Sequence, residues 1–122
     1  MKLFVVTLGV ALIGLVGCGG DDAPGPAVPA GSEGERIVRA NACASCHGAD
    51  GSGGVGPSWV GLFGSEVDLV DGSTVVADEA YLAESIRDPS AKRVAGYPVT
   101  MPTNRLTDDE IAAVVEFIKS LQ

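Results

Sequence analysis

Two cysteines and the chain's one histidine stand within a five-residue stretch, Cys43-Ala44-Ser45-Cys46-His47. On one turn of helix, residues at i, i+3 and i+4 share a face, so both thiols point the same way with the imidazole of His47 beside them. Covalent haem attachment needs this arrangement, with two sulfurs to add across two vinyl groups and an imidazole below the iron. The stretch therefore predicts one haem c, bound through Cys43 and Cys46, with His47 as an axial iron ligand.

Three alternative interpretations use the same residues. A structural zinc site needs four ligands, and the chain offers these three together with Cys18. A thioredoxin-like dithiol needs a strand–helix–strand context, which the sequence does not predict. A disulfide between Cys43 and Cys46 leaves His47 unexplained. Haem attachment accounts for all three side chains.

Met101 is the candidate for the second axial ligand. His47 is the only histidine, and Met1 lies in a segment that we expect to be removed, so Met101 is the remaining soft ligand. It lies in a proline-bounded, loop-like stretch, and methionine opposite histidine is a standard haem arrangement. One alternative is that Met101 only fills a gap in the core. In that case the sixth coordination position of the iron would be vacant or would be taken by Lys92 or Lys119.

The imidazole of His47 also needs its other ring nitrogen held, normally by a backbone carbonyl. Gly56-Pro57 lies a short loop downstream and is the predicted provider. A turn proline without this role is the alternative, and the two roles are compatible.

The first seventeen residues have the form of a secretory signal peptide. After Met1-Lys2, the run from Leu3 to Val16 holds fourteen residues without a charge, whereas a helix that spans a bilayer takes about 20. A buried core helix is the alternative, which the glycines of this segment disfavour. Leu15-Val16-Gly17-Cys18 resembles a bacterial lipobox, which implies cleavage before Cys18 and acylation of its sulfur and its new amine.

The chain therefore divides into a lipoprotein signal peptide (1–17), a lipidated cysteine with a flexible Pro/Gly-rich linker (18–31) and a folded domain (32–122). The linker has too little apolar bulk to form a core. Two or more acyl chains make membrane attachment stable. We expect an exported protein, anchored by lipid to a bacterial membrane and facing the periplasm or the cell exterior. Gly19, directly after the cysteine, favours the outer membrane.

The net charge of the chain indicates which classes of partner it can bind. The sequence has 16 acidic and 8 basic residues, for a net charge of −8. Nucleic acid requires a basic face, so we exclude it as a partner. An acidic surface favours partner proteins with basic or largely apolar docking sites.

Capping signals and apolar spacing predict three helices, over 33–42, over 79–87 and from 107 to the end of the chain. Each begins at a residue that can cap it, namely Ser32, Asp78 or Thr107. Residues 66–76 alternate weakly around Asp71-Gly72, which indicates a short β-hairpin. The loops are long for three short helices, which suggests that something other than protein fills the centre.

With these residues placed, the chain resembles a class I cytochrome c from Gly34 to Leu121. The matching stretches include 43–48, 56–64, 96–102 and 106–111. The hairpin and the Gly-Tyr…Met-Pro spacing are similar to the cytochrome c domain fused to subunit II of haem–copper oxidases. With one histidine, this chain has no counterpart of that subunit's copper domain. The resemblance implies an all-α, mono-haem domain with three main helices and long loops, here on a stand-alone bacterial lipoprotein.

The same resemblance implies a crossing of the first and last helices, with Gly34 close to Phe117. The residues that it places around the haem are Pro57, Trp59, Leu62, Phe63, Tyr97 and Leu106, all of which could equally be ordinary core residues. Trp59 stands where the family usually has a smaller apolar residue. Candidates for contact with the haem propionates are Tyr97, Trp59 and Arg93.

The expected function is one-electron transfer between redox partner proteins in a respiratory chain, not catalysis. Two filled axial positions leave no site for a substrate at the iron. A fixed electron-transfer subunit of a dehydrogenase, reductase or oxidase complex is the first alternative. A haem-based ligand sensor is the second, and it would require Met101 to dissociate.

Overall fold

The computed structural model describes residues 31–122. Within this range the chain forms α1 (Glu33–Ala40), α2 (Ala44–His47), β1 (Glu66–Asp68), β2 (Thr74–Val76), α3 (Glu79–Arg87) and α4 (Asp108–Lys119). None of these helices has the length and hydropathy of a membrane span. The predicted signal peptide, Cys18 and the linker up to residue 30 lie outside the described residues.

Each of the three longer helices starts where a side-chain oxygen accepts a hydrogen bond from a backbone N–H of the first turn. The acceptors are Ser32, Asp78 and Thr107, with distances of 3.2, 2.8 and 3.3 Å. At α4 the cap is reciprocal, because the carboxylate of Glu110 accepts a hydrogen bond from the Thr107 N–H. These bonds satisfy donors that a helix start leaves unpaired, and they confirm the predicted starts.

The first helix ends at Ala40, earlier than the predicted end at residue 42. Ala42 has a left-handed backbone conformation, with φ of 56°, which a continuous right-handed helix does not allow. The chain then begins the four-residue helix α2, which contains Cys46 and His47. The three predicted main helices are present, and α2 is the short helical turn that holds the Cys-Ala-Ser-Cys-His stretch.

The helices α1 and α4 cross at Gly34. A β-carbon on Gly34 would lie 2.1 Å from the carbonyl oxygen of Ala113 and 2.7 Å from Cβ of Phe117. Glycine therefore lets the two backbones touch, as the resemblance implied. The buried apolar side chains of the two helices are Ile37, Val38, Ile111, Val114, Val115 and Ile118.

The predicted hairpin is present, with β1 and β2 antiparallel. Its turn includes Gly72, whose φ of 85° is in the left-handed region that favours glycine. The other edge of the hairpin pairs with a later part of the chain, through a bridge between Leu69 and Val94. The backbone N–H of Val70 donates to the carbonyl oxygen of Arg93 at 2.9 Å. The hairpin is thereby joined to the segment that leads to Met101.

Candidate haem site

The described residues surround a cavity of about 570 Å³, within the range of about 300–1,000 Å³ that is usual for pockets holding cofactors and other small molecules. Residues of α2, β1, α3 and α4 line it, together with the long loops that follow α2 and precede α4. The side chains singled out for their chemistry all lie along its wall, namely Cys43, Cys46, His47 and Met101. The fold thus brings together four residues that the sequence spreads over almost sixty positions.

The imidazole of His47 is buried, and its Nδ1 lies 2.8 Å from the carbonyl oxygen of Pro57. This carbonyl belongs to the Gly56-Pro57 pair that the sequence predicts as the provider. When Nδ1–H donates, Nε2 keeps its lone pair. Burial lowers the pKa of His47, and the hydrogen bond to Pro57 partly opposes this effect. The lowered pKa favours the neutral imidazole, which is the form that binds a metal.

The loop after α2 folds back onto this helix. The N–H of Gly53 donates to the His47 carbonyl oxygen at 2.7 Å, and the N–H of Gly56 donates to the Cys46 carbonyl oxygen at 2.9 Å. A β-carbon on Gly56 would lie 3.0 Å from Cε1 of His47 and 3.2 Å from its Nδ1. The loop therefore forms a close cradle for the imidazole, and a side chain at Gly56 would intrude on it.

Cys43 and Cys46 are free thiols, each partly exposed. Burial raises the pKa of the Cys43 thiol. No bond joins the two sulfurs, in contrast to the disulfide alternative. The zinc alternative also finds no support. Within residues 31–122, no group of three or more His, Cys, Asp or Glu side chains is arranged so that it could hold a metal ion. Both thiols remain available for bonds to a ligand in the cavity.

Five of the six predicted pocket residues line the cavity, namely Pro57, Trp59, Leu62, Tyr97 and Leu106. Phe63 is not among the residues that line the cavity. The ring of Phe63 packs against the hydrophobic core, and Nζ of Lys119 lies 5.4 Å from its centroid. Leu62 and Phe63 are adjacent in one turn, and their side chains point to different sides of it. Leu62 therefore faces the cavity while Phe63 faces the end of α4.

The two lysines considered as alternative iron ligands are ion-paired. Nζ of Lys92 lies 2.5 Å from a carboxylate oxygen of Glu84, and Nζ of Lys119 contacts the carboxylates of Glu79 and Glu116 at 2.6 and 2.7 Å. The hydrogen bonds that the two lysines donate to these carboxylates raise the pKa of both amines. The protonated amine has no lone pair for a metal, so the ion pairs disfavour either lysine as a ligand.

The cavity wall also includes residues that the sequence analysis did not assign to it, among them Val67 on β1 and Ser85 on α3. A signal for Ser85 was available, because it lies four residues after the buried Tyr81 and shares its helix face. The Oγ of Ser85 is buried and has no hydrogen-bond partner among the described residues.

The propionate candidates Trp59, Arg93 and Tyr97 all line the cavity.

The family model for cytochrome c matches the chain over residues 31–122. The chain belongs to the cytochrome c family. None of the curated protein sequences matches it at a significant level. This cytochrome accordingly binds covalently attached haem c, and its helices and two-stranded sheet form the class I cytochrome fold.

The cavity of the cytochrome fits the haem of its family. It offers two thiols at i and i+3 for thioether bonds, an imidazole whose Nδ1 is held by the Pro57 carbonyl, and a thioether from Met101. Gly56 leaves the space that the imidazole fills. Proteins of this family carry electrons on their haem, and this cytochrome is a haem-based electron carrier.

Proposed function

We propose that this cytochrome is a membrane-anchored one-electron carrier of a bacterial respiratory chain. The observation that carries the proposal is the donor set that lines this single cavity: two thiols, an imidazole and a thioether. Cys43 and Cys46 would hold the haem, and His47 and Met101 would fill the two axial positions. Bound haem supplies the Fe(III)/Fe(II) couple. No coordination position then remains for a gas or a substrate, which favours a carrier over a ligand sensor.

The protein sets how readily the iron accepts an electron. Methionine opposite histidine raises the reduction potential. Apolar surroundings act in the same direction, because they disfavour the extra charge of ferric iron. The Pro57 carbonyl fixes the tautomer and the orientation of His47 through its Nδ1. We therefore expect a stable reduced form.

Met101→Ala tests the axial pair. The variant should lose the weak sulfur-to-iron absorption band of the ferric form, and its reduction potential should fall. Lys92→Ala is the matched control, since Lys92 also lines the cavity but is held by Glu84, and its band should persist. An unchanged band in Met101→Ala would exclude Met101 as a ligand. Carbon monoxide binding to the reduced wild type at neutral pH would favour the sensor instead.

The proposed membrane anchor rests on the lipobox resemblance at Cys18. Signal-peptidase cleavage before Cys18 and acylation of this residue would leave the linker 18–31 as a tether for the haem domain. Intact-mass measurement of the protein purified from membranes should give the polypeptide 18–122 with one haem and the added lipid. Cys18→Ser should yield no lipid-modified species, whereas Ser32→Ala, which alters only the α1 cap, should be lipidated normally. An unmodified Cys18 in the wild type would refute the anchor.

The proposed partners are redox proteins that dock where the cavity opens. Val55, Val60 and Val99 line the cavity, yet their side chains are 53, 52 and 56% exposed. This apolar rim suits a partner with an apolar docking site. Val60→Asp should slow oxidation of the reduced cytochrome by membranes of the producing organism. Val76→Asp is the control, because Val76 is 53% exposed but lies outside the cavity wall. Equal rates in both variants would argue against docking at this rim.

A fixed place in an oxidase or dehydrogenase complex is the second candidate function. It is favoured by the similarity of the hairpin and of the Gly-Tyr…Met-Pro spacing to the oxidase-fused domain. Purification in mild detergent distinguishes the two. A fixed subunit should co-purify with other polypeptides at constant stoichiometry, whereas a carrier should separate from them.

A further inference from the structure

The indole of Trp59 stacks on the imidazole of His47. The two ring centroids are 4.5 Å apart, and the ring planes differ by 18°. Both side chains are buried, with 6% of Trp59 and 9% of His47 exposed. The contact is therefore face to face, in a part of the site that solvent does not reach.

Two neighbours hold Trp59 in place. The backbone N–H of Trp59 donates to the carbonyl oxygen of Gly51 at 2.7 Å. The ring of Phe117, on α4, meets the indole edge-on, with centroids 6.4 Å apart and planes at 83°. The indole is thus a fixed surface, and it cannot simply follow the motion of the imidazole.

The two contacts of the imidazole have different effects on its orientation. The hydrogen bond from Nδ1 to Pro57 fixes one edge of the ring but leaves the plane free to tilt about that bond. A flat, fixed surface against one face removes this freedom. Aromatic pairs attract each other beyond the effect of their buried area, which biases the tilt of the imidazole at room temperature.

We propose that Trp59 is a positioning residue that sets the plane of the axial imidazole. This inference rests on the proposed role of His47 as an iron ligand and extends it. Pro57 fixes the tautomer and one edge of the ring, and Trp59 restricts the tilt of the ring plane that this hydrogen bond leaves free. In low-spin ferric haem, the orientation of the axial imidazole plane governs how unpaired spin density is distributed over the porphyrin. Trp59 therefore controls a property of the haem through His47.

The test is proton NMR of the ferric holoprotein carrying Trp59→Leu, Trp59→Phe or no substitution. The pattern of the four haem methyl resonances depends on the orientation of the axial ligands, and Met101 is the same in every variant, so a change in the pattern reports the imidazole plane. Trp59→Leu should change the spacing of these resonances, because an aliphatic side chain offers no flat surface. Trp59→Phe should stay close to the wild type, since it retains an aromatic face. If Trp59→Leu does not accumulate as holoprotein, Trp59→Met provides an apolar, non-planar side chain of greater length.

The control is Val115→Ala, which removes core contacts on α4 away from the cavity wall. It should lower the unfolding temperature but leave the methyl pattern unchanged. A wild-type methyl pattern in Trp59→Leu, with only a loss of stability, would show that Trp59 merely fills the core. The same pattern change in Val115→Ala would also overturn the proposal, because general loosening would then explain it. A wild type without a low-spin, imidazole-ligated spectrum would refute the role of His47 itself.

Discussion

The backbone N–H of Ala95 donates a hydrogen bond of 2.8 Å to the carbonyl oxygen of Asp68. Asp68 ends the first strand of the hairpin, and Ala95 begins the approach to Met101. Together with the bridge between Leu69 and Val94, this bond ties the start of the methionine loop to the sheet. The hairpin therefore acts as a clamp on the loop that carries the proposed sixth ligand.

Ala95→Pro should weaken this clamp, because proline has no N–H to donate. Loss of one backbone hydrogen bond typically costs about 0.5–1.5 kcal/mol. The sulfur-to-iron band should therefore disappear at a lower denaturant concentration than in the wild type. Ala95→Gly is the matched control, because it loosens the backbone but keeps the donor, and it should have the smaller effect. Equal midpoints for Ala95→Pro and the wild type would contradict the clamp.

The local part of this architecture could be predicted from the sequence. Asp78 before the third helix and Pro89 after it bracket an apolar stripe, and α3 lies over Glu79–Arg87 as predicted. The thiols and the imidazole were likewise predictable as a unit, because the spacing within one helical turn determines their common face. In each case, the deciding interaction joins residues that are close in the chain.

The long-range part could not be predicted in this way. Nothing in the residue pattern of 66–76 indicates that the outer edge of β1 pairs with residues 93–95, about twenty-five positions further on. The left-handed conformation of Ala42 is also invisible locally, since alanine is a good helix former. The side to which the Phe63 side chain points depends on the conformation of the turn that contains it. Tertiary packing determines that conformation.

Gly34→Ala should destabilise the domain, although the same change in an exposed helix interior would stabilise it by about 1 kcal/mol. The new β-carbon would meet the Ala113 carbonyl oxygen, which belongs to a helix backbone and cannot rotate away. Overpacking of this kind typically costs about 1–3 kcal/mol. Thermal unfolding of the holoprotein provides the measurement. An unfolding temperature equal to or above that of the wild type would show that α1 and α4 are not in close contact here.

Gly56→Ala should disturb the His47 imidazole directly. The added β-carbon would lie 3.0–3.3 Å from three atoms of the ring, so the ring must shift by a few tenths of an ångström and the bond to Pro57 must lengthen. A longer bond at Nδ1 makes the imidazole a weaker donor, which stabilises ferric iron less, so we expect a higher reduction potential and a shifted Soret band. Gly54→Ala is the control from the same loop, since its β-carbon would approach the Cys46 carbonyl oxygen at 3.1 Å and no atom of the ring. Identical spectra for the two variants would disprove the cradle.

Two aspartates predict a specific acid dependence of stability. Asp71 and Asp88 each accept hydrogen bonds from the hydroxyl and the backbone N–H of the serine two positions later. These bonds lower the pKa of both carboxyls below the ordinary value of 3.8. The charged form therefore stabilises the folded state above pH 3.8, and this contribution is lost as the pH falls through the lower, folded-state pKa.

The double variant Asp71→Asn/Asp88→Asn should isolate this effect, because asparagine accepts the same hydrogen bonds but does not titrate. Denaturant unfolding at a series of pH values should show the wild type as the more stable protein at neutral pH, with the difference shrinking below pH 3.8. Ser73→Ala/Ser90→Ala removes the two hydroxyl donors and should reproduce part of the loss at neutral pH. A difference between wild type and the Asn variant that stays constant down to the acid limit would rule out a contribution from these carboxylates.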